Sequence, residues 1–87
     1  MLTASQVKDA AAKAALGRTW FGSKVWLCDV ALHLNAPLHK LAADLVDLHR
    51  RREISLSRCD LAQLAPAGFV ESSTITDTGS EWQLVRL

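Results

Sequence analysis

The spacing of apolar and polar positions divides this chain of 87 residues into helical periods over its first half and strand-like alternation towards its end. Thr3-Ala4-Ser5-Gln6 sets a hydroxyl three residues before an amide, the reciprocal capping pattern of a helix start. Val7, Ala10, Ala11, Ala14 and Ala15 then recur at helical intervals until Gly17 interrupts them. A helix is predicted there, with a buried face made mostly of alanine. Such a face favours helix formation and close approach of another backbone, but contributes little apolar area. Gly17-Arg18-Thr19-Trp20-Phe21-Gly22-Ser23 breaks the period, and its two aromatics need either burial or a partner surface.

Lys24-Val25-Trp26-Leu27 reads as a short extended segment, and residues 28–34 return to helical spacing up to the Asn35-Ala36-Pro37 break. Asn suits the left-handed stop of one helix, and Pro the first turn of the next. Leu38, Leu41, Leu45 and Leu48 follow at intervals of three, four and three, with Ala42 and Val46 beside them. This predicts a strongly amphipathic helix ending near Arg51. Two helices joined by a three-residue turn have helix-turn-helix spacing. Ile54-Ser55-Leu56-Ser57 alternates like a strand with one buried face. Residues 60–65 form one or two helical turns in this reading, capped by Asp60 and stopped by Pro66 and Gly68. Residues 73–76 and 81–86 flank Asp77-Thr78-Gly79-Ser80, whose Asp and Gly suit a tight turn, so a terminal β-hairpin is predicted.

Composition narrows the class to one α+β domain over residues 1–87: 49% of residues are hydrophobic, 22% are charged and the net charge is +1. A chain of this length buries a thin core and leaves little room for a deep enzyme pocket. Two cysteines exclude a disulfide-dense scaffold and are expected to be reduced. No apolar run reaches bilayer length and the first residues lack a basic start and an apolar signal core, so no membrane partner and a cytoplasmic location are expected. Met1 reads as a natural start, whereas an end at Leu87, hard on the last strand, is compatible with a longer parent chain. Charge is uneven: nine basic against five acidic residues through Arg58, then Arg86 alone against four acidic residues.

The order helix, short strand, helix, turn, helix, strand, hairpin, together with the Asn35-Ala36-Pro37 turn, resembles the winged helix-turn-helix superfamily over residues 20–87. The resemblance implies three main helices plus a C-terminal β-hairpin wing, with residues 38–51 as the recognition helix and residues 74–84 as the wing. Residues 59–72 depart from it by inserting a helical turn before the hairpin. Leu56-Ser57-Arg58-Cys59-Asp60-Leu61 is also similar to a stretch found in small bacterial winged-helix-like modules appended to larger proteins.

Two functions follow from that resemblance. In the first, a regulatory module binds duplex DNA, with His39 and Lys40 near base edges and Arg50, Arg51, Arg52 and Lys24 on phosphate. Arg18 and Arg58 could extend such a patch, and paired half-sites would suit a homodimer. The arginines also have a structural reason to end a helix, where cations meet the negative end of its dipole. Asp44 and Asp47 oppose phosphate and could help only by accepting from cytosine. In the second, an adaptor binds protein through Trp20, Phe21 and the helix face bearing Asp44 and Asp47, while Trp26 and Trp82 fill the core. Neither function involves catalysis. Cys59, Ser57, His49 and Asp60 have no recognisable oxyanion site, and the four glycines are too scattered for a phosphate loop. His33, His39, His49, Cys28 and Cys59 lack the short paired spacing of a zinc site, so no metal and no cofactor are expected.

Overall fold

Thr3 opens the first helix as its spacing predicts. In the computed structural model, which describes residues 2–87, the Thr3 hydroxyl accepts from the Gln6 N–H (3.2 Å) and the Thr3 N–H donates to Gln6 Oε1 (2.9 Å). Met1 lies outside the described residues. Helix α1 (Ala4–Gly17) buries Val7, Ala10, Ala11 and Ala14 and packs on α2 (Leu27–His33), the small side chains permitting close approach. Strand β1 (Lys24–Trp26) leads directly into α2, so Leu27 begins the helix rather than ending the strand.

At the end of α2, Asn35 takes the left-handed conformation (φ 56°). Its N–H donates to the Leu32 carbonyl and the Ala36 N–H to the Ala31 carbonyl, which satisfies two carbonyls left open by the helix end. Helix α3 (Leu38–Arg50) follows Pro37 and buries Leu45, Val46 and Leu48. It closes with the same motif: Arg52 N–H to His49 carbonyl, Glu53 N–H to Leu48 carbonyl, and Arg52 left-handed at φ 62°. Glycine is the usual occupant of that position, because an L side chain there crowds the following carbonyl.

Strand β2 (Leu56–Ser57) keeps the predicted alternation, with Ile54 and Leu56 buried and Ser55 exposed. Two corrections concern the inserted segment. Its first turn is a 3-10 turn at Ala62–Leu64 preceded by Leu61, with no side-chain cap, so Asp60 does not cap it. Gly68, in the left-handed region (φ 81°), does not stop a helix but precedes α4 (Phe69–Ser73), and Ser73 belongs to that helix instead of a strand. Hairpin strands β3 (Ile75–Asp77) and β4 (Ser80–Trp82) are joined through Thr78 and Gly79, both at positive φ, as a two-residue turn matching strand twist requires.

Residues 81–86 are not one strand. The chain changes sheet at Gln83, so that β5 (Leu84–Arg86) lies between β1 and β2, antiparallel to both. Gln83 is buried and fully engaged. Its N–H donates to the Ser57 carbonyl, its carbonyl accepts from Leu27, Oε1 accepts from the Cys59 N–H (2.9 Å) and Nε2 donates to Thr74 Oγ1 (3.3 Å). The result is a small α+β domain with a winged-helix-like layout.

The register sorts the core into two layers. Val25, Val85 and Leu56 lie opposite one another on the sheet face that meets α1, α2 and α3. Trp26 and Leu84 point to the other face and are nonetheless buried, at 1% and 0% exposure. The insertion explains this. Phe69 of α4 meets Trp26 edge-on (centroids 5.6 Å), and Trp20 meets it from the loop before β1 (5.1 Å). A buried Trp of 150–250 Å² contributes about 4–6 kcal/mol of transfer free energy, so this outer layer is a substantial second core. The insertion also supplies Ser73 Oγ, fully buried, which accepts from the Cys28 N–H (3.1 Å) and caps α2 from outside, since Trp26 at its N-cap makes no side-chain bond.

Candidate functional site

Helix α3 turns His39, Lys40, Ala43, Asp47 and Arg50 to solvent at intervals that keep them on one face. The hairpin flanks this face, β3 packing on α3 and the Arg50 guanidinium bonding the Asp77 carboxylate. Arg51 is also committed, to Asp47 Oδ2 (3.1 Å) and Glu53 Oε2 (3.0 Å). Asp44 is half-buried and accepts from the Leu2 N–H (3.3 Å), so it does not share the outward stripe. On the outward stripe, its end and the hairpin, Lys40, Arg50 and Arg51 are therefore balanced by Asp47, Asp77 and Glu81. Exposed ion pairs contribute only about 0–1 kcal/mol to stability, but they cancel the local field that would draw in a polyanion.

The remaining cations are distributed elsewhere. Arg18 lies over the Phe69 ring at 4.4 Å, Lys24 stands opposite Arg86 in the sheet, and Arg52 shares a cleft with Lys8 and Arg86. Lys24 thus stands in β1 and Arg52 in the turn after α3, whereas His39 and Lys40 lie in the first turn of α3. That Lys8 and Arg52 line one cleft was not indicated by the sequence, because it depends on how α1 packs beside the turn after α3.

Trp20 and Phe21 occupy a tight reversal. Trp20 and Lys24 exchange backbone hydrogen bonds (2.8 and 3.3 Å), and Phe21 and Gly22 between them are left-handed at φ 53° and 76°. Gly or Asn is the usual occupant of the first such position, and a bulky aromatic there costs on the order of 1–2 kcal/mol. Phe21 is nevertheless 68% exposed. Its ring meets only the edge of Trp20 among the aromatic pairs (4.8 Å), and Trp20, half-buried, rests in turn on Trp26. The exposed tip is therefore braced by a row of aromatics ending at Phe69.

The histidines and cysteines do not converge. Among the described residues no group of three or more His, Cys, Asp or Glu side chains could hold a metal. His33 and His39 are exposed, and Cys28 and Cys59 are free and half-buried. His49 is engaged within the fold. Its Nδ1 accepts from the Leu56 N–H (3.1 Å) on the open edge of β2, and its ring packs on Trp82 (4.8 Å). No helix is long and apolar enough to cross a membrane among the described residues. No protein-family model, curated protein or solved structure matches the chain.

Proposed function

We propose that this domain is a non-catalytic interaction module that binds protein, and that Phe21 is the anchor of its contact surface. The observation that carries this reading is the display of Phe21: a large aromatic, mostly solvated, held on a left-handed turn where its backbone is strained, and braced from behind by Trp20 and Trp26. Strain retained at an exposed position is accounted for by what the side chain does outside the fold. A rigid aromatic is the usual centre of binding energy at protein interfaces, because it buries a large area and loses little conformational freedom.

The charge balance on α3 and the hairpin supports the same reading over a DNA-binding one. A duplex reader neutralises phosphates with unpaired Lys and Arg around its recognition helix and wing. Here Arg50 and Arg51 are paired within the chain, and residues 75–82 contain two acidic residues and no basic one. Trp20 contributes as the support of the anchor, while Asp44 and Asp47 act within the domain.

The test is retention of a partner by the immobilised domain from extracts of the source cells, comparing the native sequence with Phe21→Asn. A protein held by the native domain and lost from the variant supports the assignment. Equal retention by both would remove Phe21 from the interface.

A further inference from the structure

We infer that the outer edge of β3, with the first half of α3 beside it, is the seat of a second copy of this chain, joined strand to strand about a two-fold axis at Thr76. This surface uses neither Phe21 nor Trp20 and goes beyond the contact proposed above. Among the described residues the hairpin sheet holds β3 and β4 alone, so the far side of β3 has no neighbouring strand. Asp77 and Ser80 close a two-residue turn and exchange hydrogen bonds, which makes Ile75 and Trp82 the next such pair. Thr76, between them, therefore turns its N–H and its carbonyl away from β4. No backbone hydrogen bond from elsewhere in the described chain reaches either group. An unpaired edge of this kind is a template for another strand.

The register fixes where that strand lies. Ile75, Asp77 and Trp82 share the inward face of the hairpin: Ile75 joins the core, Asp77 holds Arg50 and Trp82 packs on His49. That face covers the second half of α3. Residues 74–76 border an open groove of about 540 Å3 with Leu38, His39 and Ala42 of the first half. Leu38 and Ala42 are only half-buried, so a strand added to β3 extends the sheet over apolar side chains that it can reach. The edge is self-complementary. Thr76 placed opposite itself gives each copy one donor and one acceptor, and Thr–Thr is a favourable cross-strand pair. Antiparallel pairing about Thr76 then sets Asp77 of each copy opposite Ile75 of the other, so no like charges meet across the axis. It also brings the hairpin, with Asp77 and Glu81 and no basic residue, over the first turn of α3, which carries His39 and Lys40 and no acidic residue. The charges are complementary twice over, once on each side of the axis. Two backbone hydrogen bonds and a small apolar contact make a weak pair, one that dissociates on dilution.

Sedimentation equilibrium of the purified domain from about 10 μM to about 1 mM reads the association, and backbone amide shifts over the same range locate it. The expected result is a monomer–dimer equilibrium with shifts centred on Leu38, Ala42, Thr74 and Thr76. Thr76→Lys and Thr76→Glu, at an exposed position, should each weaken the dimer about fivefold or more by setting like charges opposite one another on the axis. An equimolar mixture of the two should recover at least the native affinity as a mixed dimer. Phe21→Asn should associate as the native domain does. A domain that stays monomeric at 1 mM overturns the assignment and leaves the edge to an extended peptide of another protein. Association unchanged in both Thr76 variants, or lost in Phe21→Asn, overturns it as well.

Discussion

Replacing Phe21 by Asn separates an exposed anchor from a core aromatic by the size of its effect on stability. Truncating a fully buried Phe costs about 3–5 kcal/mol. Phe21 is 68% exposed, so only about a third of that burial is at stake, roughly 1 kcal/mol, and its edge contact with Trp20 at 4.8 Å adds about 0.5–1.5 kcal/mol. Against this, Asn tolerates the left-handed backbone at φ 53°, which recovers about 1–2 kcal/mol of strain. The two effects nearly cancel, and the predicted net change is within about 1 kcal/mol of zero. Urea unfolding followed by circular dichroism reads this directly. With a slope near 1 kcal/mol/M for so small a domain, the midpoint should move by no more than about 1 M. Partner binding, by contrast, should be lost. A destabilisation of 3 kcal/mol or more would show that Phe21 holds the fold together, and the argument from its strained display would fail.

Other substitutions test the remaining joints of the fold. Arg52→Gly should raise stability by about 0.5–1 kcal/mol in the same unfolding assay, since glycine suits the left-handed helix end. Gln83→Met keeps the volume but removes the acceptor of the Cys59 N–H, and should cost about 1–3 kcal/mol with faster hydrogen exchange at Cys59. Ser73→Ala removes the cap of α2 and should cost about 1 kcal/mol, visible as earlier exchange of the Cys28 amide. Trp26→Ala should cost at least 3 kcal/mol and loosen α4, reported by loss of structured signals from Phe69.

The parts of the fold written in local periodicity were legible in the sequence. The capping box at Thr3, the leucine stripe of α3, the Asn35 stop and the Thr78-Gly79 turn each depend on neighbours within a few residues. What escaped depends on distant partners. Nothing local in Glu81–Arg86 shows that the chain changes sheet at Gln83, although a lone amide between Trp82 and Leu84 is the trace it leaves. Helix α4 escaped because Pro66 and Gly68 read as terminators, and a five-residue helix is too short to show a period. Its value is tertiary, covering Trp26 and capping α2. The candidate site was legible only in its residue types. Phe21 stood out as an aromatic in a glycine-flanked loop, but its left-handed backbone is visible only in three dimensions. The arginine triplet looked like one patch, whereas Asp77, Asp47 and Glu53 neutralise two of its members and the third turns to a different cleft.

The most direct test of the claim that this surface serves protein rather than nucleic acid is the affinity of the purified domain for random-sequence duplex DNA at 50 and 200 mM salt. A charge-balanced α3 and hairpin predict no measurable binding at the higher salt and only weak binding at the lower. A site that neutralised 6–10 phosphates would instead lose about 10³–10⁵ in affinity between those concentrations. Tight binding at low salt with so steep a loss, reduced in slope by Lys40→Ala and Arg51→Ala, would contradict the account and make α3 a DNA-reading helix.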